Sequence, residues 1–290
     1  MKASLGALLA LSAGLAGLLA APAAVGQPAP KAGQAARSAL AVSGELTQGG
    51  WIRGTAPKGT VSLTLDGKPF DFAADGSFFA AFDRDAGPSA RLVATLSDGS
   101  TLAREVAVSP RAWRIETVNV PLKVNLPSDE FAARRKPELE QIAAARALKT
   151  DAQGWRQHFI WPVKGRISGQ FGSQRIYRGG EKGSYHSGID IATGASGTSF
   201  VAPADGVVIL VASPPFTLEG NLLIIDHGMG LNSAFLHCSQ VDVKLGDHVK
   251  QGQVIGHIGM TGRATGPHLH WSLMWQGARL DPLLFTGPMN

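Results

Sequence analysis

Between Leu40 and Val118 apolar and polar positions alternate with the two-residue period of a strand. Val61-Ser62-Leu63-Thr64-Leu65 alternates cleanly and runs into Asp66-Gly67, a hairpin turn signal, before Pro69-Phe70-Asp71-Phe72. Asp75-Gly76 precedes Phe78-Phe79-Ala80-Ala81-Phe82, and Asp98-Gly99 separates Arg91–Leu96 from Thr101–Val108. Short strands joined by Asp-Gly predict a small antiparallel sandwich or barrel. The aspartates are explained by turn conformation alone, so this region, 40–120, carries no expected catalytic group. It reads as a spacer, a shield or a docking module.

The period changes after Asn125. Pro127-Ser128-Asp129-Glu130 offers a helix start, and Ala, Arg, Glu, Leu and Gln follow. Pro137 is expected to break this helix and leave Glu138 to Lys149 as its firm part, with Leu139, Ile142, Ala143 and Arg146 on one face. The segment 121–158 is a helical connector. From Phe159 the strand pattern returns, now rich in glycine. Candidate strands are 206–211, 222–226, 233–236, 248–249, 254–259 and 268–274. Short strands with many glycines and prolines predict a compact, twisted antiparallel domain over 159–290. The fold class is therefore mainly β: a glycine-rich antiparallel domain, preceded by a small β-sandwich-like domain and a connecting helix.

The first residues follow neither pattern. Lys2 precedes an uncharged Ala/Leu-rich run from Leu5 to Leu19, then small residues at Ala21-Pro22-Ala23 and Ala24-Val25-Gly26. This predicts a signal peptide over 1–26 and export to the periplasm or cell envelope. A membrane anchor is the alternative, but the run is short for a span and Pro22 follows it. No stable membrane span is expected after cleavage. Residues 27–39, rich in Ala, Gly, Pro and Gln, read as a flexible linker. Cys238 is the only cysteine among 290 residues, so no intramolecular disulfide can form. A net charge of +5 without basic runs interleaved with aromatics argues against nucleic acid as a partner.

The candidate chemistry centres on Gly266-Pro267-His268-Leu269-His270-Trp271. In a strand, His268 and His270 face the same way. They can share a metal, or divide metal binding and proton transfer between them. Upstream, His186, Gly188 and Asp190 share a face of an extended segment, with Gly188 leaving room between the two side chains. His186, Asp190 and His270 would supply two nitrogens and one oxygen to zinc, with a fourth position open for water. No His-Glu-x-x-His occurs, so the helical metalloprotease arrangement is absent.

Further blocks extend the pattern: Val201–Val208, Ile225-Asp226-His227-Gly228, Phe235-Leu236-His237, Gly252–Gly256 and Thr261–Trp271. In this order, over about 160 to 285, the chain resembles the lysostaphin/LytM-type zinc metallopeptidases of family M23. The resemblance implies one Zn2+ per chain, held by His186, Asp190 and His270. It also implies that His237 and His268 handle protons and stabilise the tetrahedral intermediate. The implied substrate is the peptide stem or cross-link of bacterial peptidoglycan, with a divisome or wall-synthesis partner docking through the N-terminal β domain. Two other functions fit the same fold: a regulator that activates another wall hydrolase, and a zinc peptidase for a glycine-rich protein.

Several residues have local readings. Cys238 stands where the family usually has leucine and reads as a small buried residue rather than a stray ligand. Arg175 either faces substrate carboxylates or is a surface arginine. His227 reads as a structural turn residue, and His158, His248 and His257 as surface or satisfied core histidines. The glycines at 252, 256, 259, 262 and 266 suit tight β turns, not a phosphate loop.

Overall fold

The Asp-Gly turns organise the N-terminal strands. The structure is a computed structural model that describes residues 40–121 and 128–289. The signal peptide and linker expected over 1–39 lie outside them. Asp66 and Gly67 have φ of 50° and 77°, the two positive values that a type I′ turn requires. They join the antiparallel strands Thr60–Leu65 and Lys68–Phe70. Ser89–Leu96 and Thr101–Ala107 complete a four-stranded sheet. Val42–Gly44, Trp51–Thr55 and Ser77–Ala81 form a three-stranded sheet. The apolar faces of both sheets feed one core through Ile52, Phe78, Phe79, Leu63 and Leu92.

The second region is an eight-stranded antiparallel sheet. Its order runs His248–Val249, Gly206–Val211, Asn221–Asp226, Leu231–Cys238, Leu269–Trp275, Ile189–Ala192 and Arg166–Gly169, and Ala278–Leu280 also pairs with Leu269–Trp275. A smaller sheet of Ser199–Val201, Val254–His257 and Gln240–Val241 packs on it through the stacked Phe200 and Phe235 rings. Gly256 is not at a turn as expected. It lies inside a strand, where a Cβ would come within 2.7 Å of the Gln240 carbonyl.

Along Leu269–Trp275 alternate residues serve the two faces. Leu269, Trp271, Leu273 and Trp275 are buried in the same hydrophobic core as the N-terminal sheets. Trp275 meets Phe70 and Phe79, and Trp51 meets Phe79 and Phe285. The described residues accordingly form one compact unit. His270, Ser272 and Met274 occupy the other face.

That other face is partly covered by a helix, Asp129–Ala147, which is continuous through Pro137. The expected break does not occur. Proline removes one ladder hydrogen bond, costing about 3 kcal/mol. Contacts on both sides of Pro137 hold the helix in place. Arg135 forks onto Glu219 at 2.6 and 2.7 Å. Glu138 accepts from the Thr217 N–H at 2.7 Å and its hydroxyl at 2.6 Å. Ser128 caps the N-terminus by accepting from the Phe131 N–H. The packed face overlaps the expected one only at Ile142 and Arg146. Glu138 and Ala145 are buried, with Ile142 packed against the sheet, whereas Leu139 is 51% exposed. No described helix is long and apolar enough to cross a membrane.

Candidate metal centre

Strand register brings the first two groups together. Asp190 and His270 are direct cross-strand partners, a relationship that sets side chains about 5 Å apart on one face. Asp190 Oδ1 lies 2.9 Å from His270 Nδ1. His186 arrives from the loop before Ile189, and its Nε2 lies 3.1 Å from both Asp190 Oδ1 and His270 Nδ1. Gly188 permits this approach. A Cβ there would come within 2.5 Å of the Trp271 carbonyl and 2.7 Å of His270 Nε2. Gly169 does the same behind Asp190, where a Cβ would come within 2.2 Å of Oδ2.

The donor set fits a zinc ion. Bonds of 2.0–2.2 Å in a tetrahedron would separate ligand atoms by about 3.3–3.6 Å, a few tenths of an ångström more than the observed 2.9–3.1 Å. His186 Nδ1 donates to the Gln170 carbonyl at 3.1 Å, so Nε2 presents a lone pair to the cluster. One cation satisfies all three donors at once, whereas protons must be shared pairwise. Burial opposes ionisation of Asp190, but its contacts with His186 and His270 outweigh it and hold the carboxyl well below its usual range. Burial also opposes protonation of His186, yet Asp190 raises its pKa. His270 is lowered by its burial, against the pull of Asp190.

His268 and His237 border this triangle. His268 Nδ1 donates to the Gly266 carbonyl at 2.8 Å, and its Nε2 lies 3.7 Å from Asp190 Oδ1. His237 Nδ1 donates to the Thr261 carbonyl at 2.8 Å. The two rings have centroids 4.9 Å apart. Leu236, not His237, is the register partner of His270, so plain alternation would point His237 at the opposite face. Two features redirect it. The pairing of Asn221–Asp226 with Leu231–Cys238 shifts register between Asn221 and Leu223, and His237 has φ of 63°. Burial and the neighbouring histidines lower the His237 pKa, which favours the neutral ring.

The loop carrying His186 is tied to the N-terminal region. The Gly172 N–H donates to the His186 carbonyl, and the His186 N–H to the Ser173 carbonyl. Buried Arg84 donates to the Gly172 carbonyl at 2.9 Å, and its guanidinium lies over the Trp113 and Tyr185 rings. Gln174–Ile176 pairs in parallel with Ile115–Thr117. These supports carry no sequence signal, because each acts through a backbone carbonyl or a ring face.

The remaining candidates fall elsewhere. Arg175 bonds Glu116 at 3.0 Å on an exposed strand pair. Cys238 is fully buried, and burial pushes its thiol up to about 12. His227 is a core residue. Its Nδ1 donates to the Asp205 carbonyl, while Nε2 accepts from Ser233 Oγ, which in turn accepts from Trp271 Nε1. Burial lowers its pKa to about 4. His257 bonds Asp242 and the Gly197 carbonyl, while His158 and His248 are exposed.

A His/Asp/His donor set, two of its members on the sheet and one on the adjoining loop, thus sits with two flanking histidines on one face of an antiparallel domain. Residues 184–282 match peptidase family M23. It is 37% identical to the peptidoglycan DD-endopeptidase ShyA of Vibrio cholerae, over 44% of this chain and 30% of that protein. It is 34% identical to the murein hydrolase activator NlpD of Salmonella dublin, over 50% of this chain and 35% of that protein. The matches therefore span about a third of each relative's length. A crystal structure assigned to peptidase M23 from Pseudomonas aeruginosa superposes with a TM-score of 0.64 at 28% identity, covering 85% of this chain and 96% of that one.

Proposed function

We propose that this chain is an exported zinc metalloendopeptidase that hydrolyses peptide cross-links of peptidoglycan in the periplasm or cell envelope. One observation carries the reading: His186, Asp190 and His270 converge while His237 and His268 flank them with their Nδ1 protons already committed. Its relation to a DD-endopeptidase supports the substrate class. A zinc ion held by His186 Nε2, Asp190 Oδ1 and His270 Nδ1 would supply a water acidic enough to ionise near neutral pH and would polarise the scissile carbonyl. The protein groups do the rest. Carbonyl acceptors on Nδ1 leave Nε2 of His237 and His268 to exchange protons. When neutral, either ring can accept a proton from the attacking water. When protonated, it can donate to the departing amine or to the developing oxyanion.

The relation to a murein hydrolase activator gives a second reading, a regulator that retains the fold. Retention of all five side chains favours the enzyme. Purified protein should contain close to one zinc per chain and release peptides from sacculi, with mass spectrometry of the digest reporting the bond cut. His186→Ala should abolish both zinc content and release. Stoichiometric zinc without release would support the regulator, and cleavage of glycine-rich peptides but not sacculi would reject the wall substrate.

A further inference from the structure

Beside the metal triangle, a cleft of about 180 Å³ lies between the helix Asp129–Ala147 and the face of the sheet that carries His270. Arg146, Arg279, Ser187, Ser272 and Met274 line it together with His270. We propose that Arg146 and Arg279 form a subsite for a carboxylate of the substrate peptide.

Register places these groups along one track. Arg279 is the cross-strand partner of Met274, so it shares a face with Met274, Ser272 and His270. A rise of about 3.3 Å per residue puts Met274 about 13 Å from His270. A peptide extended across the metal triangle therefore reaches the two arginines within a few residues of its scissile bond.

The charges there are not neutralised. Among the described residues, neither Arg146 nor Arg279 makes an ion pair, and Arg146 Nε is buried with no hydrogen-bond partner. The nearest acidic side chain on the rim, Glu219, is held by both arms of the Arg135 fork. The carboxylate of Asp83 accepts from the Arg279 backbone N–H. Burial and the neighbouring Arg279 charge both lower the Arg146 pKa, against a weaker pull from Glu219, so the Arg146 cation is under-stabilised where it stands. Tyr185 lies 5.5 Å from the Arg279 guanidinium and supports it. A guanidinium fork matches the geometry of a carboxylate, and peptidoglycan stems carry free carboxylates. This inference rests on the wall-peptide reading.

The test compares a synthetic cross-linked stem peptide bearing free carboxylates with the same peptide amidated at those positions. Binding to the zinc-loaded full chain is measured by calorimetry, and KM and kcat by product release. The acid form should bind roughly tenfold or more tightly, the range expected for a charge-assisted hydrogen bond. Arg146→Gln and Arg279→Gln should each raise KM for the acid form by about that factor, leaving kcat and the amide form nearly unchanged. Equal affinity of the unmodified chain for both peptides overturns the proposal, even if a variant fails to fold. So does a preference for the acid form that survives both substitutions. Cleavage of both forms with equal affinity would reject the subsite and keep the peptidase. Preferential binding without cleavage would keep the subsite and reject the peptidase.

Discussion

His268 and His270 are one residue apart but commit Nδ1 to different partners. His270 turns Nδ1 to Asp190, whereas His268 gives Nδ1 to the Gly266 carbonyl. The two alanine variants should therefore separate. His270→Ala should lose bound zinc, measured by atomic emission. His268→Ala should retain most of it while turnover on sacculi falls by about 10²- to 10⁴-fold, the range for a lost proton-transfer group. At this scale the sequence was informative where a residue sits in a short block, as all five candidate site residues do. It was silent on how His237 reaches the site. A left-handed residue at a register shift leaves no mark on a run such as Phe235-Leu236-His237. Arg84 was equally hidden, since it acts on a carbonyl 88 positions away.

Elements differ in how far their own residues determine them. The Asp-Gly hairpins were legible because the turn dictates its residues, and 206–211 and 248–249 match their expected spans. Val42–Gly44, Trp51–Thr55 and Ile189–Ala192 fall in segments read as β or extended, but their bounds were not legible because they are short or interrupted by glycine or charge. The helix shows the reverse error. Local propensity at Pro137 predicts a break, and tertiary anchors prevail over it. Arg135 is the centre of those anchors, bonding Glu138 at 2.9 Å as well as Glu219. Arg135→Gln would strand the carboxylates of buried Glu138 and partly buried Glu219. It should cost roughly 2–4 kcal/mol and speed hydrogen exchange in residues 129–147, measurable by mass spectrometry.

The described residues behave as one body because aromatic side chains from both β regions share a core. Phe79 is fully buried against Trp51, Trp275 and Phe285. Phe79→Ala should cost about 3–5 kcal/mol, and calorimetry should still show a single transition. Global stability should also depend on pH through His227. Its pKa is lowered from 6.5 to about 4, so the fold keeps the ring neutral while the unfolded chain takes up a proton. Its contribution is complete above pH 6.5 and declines as pH falls towards 4, by roughly 3 kcal/mol. His227→Gln should flatten that part of the curve in denaturant titrations, whereas the Asp190 contribution is lost only at lower pH.

The parallel pairing of Gln174–Ile176 with Ile115–Thr117 limits where the polypeptide can be cut without harm. A fragment of residues 159–290 would retain every metal donor, yet lack Arg84, Trp113 and the strand against which the loop of His186 is aligned. It should bind zinc more weakly than the full chain under the same competing chelator, and adding residues 40–158 in trans should restore part of the difference. The portable unit of this protein is then the body that begins near residue 40, and a graft of the sheet alone would carry the candidate donors without their alignment.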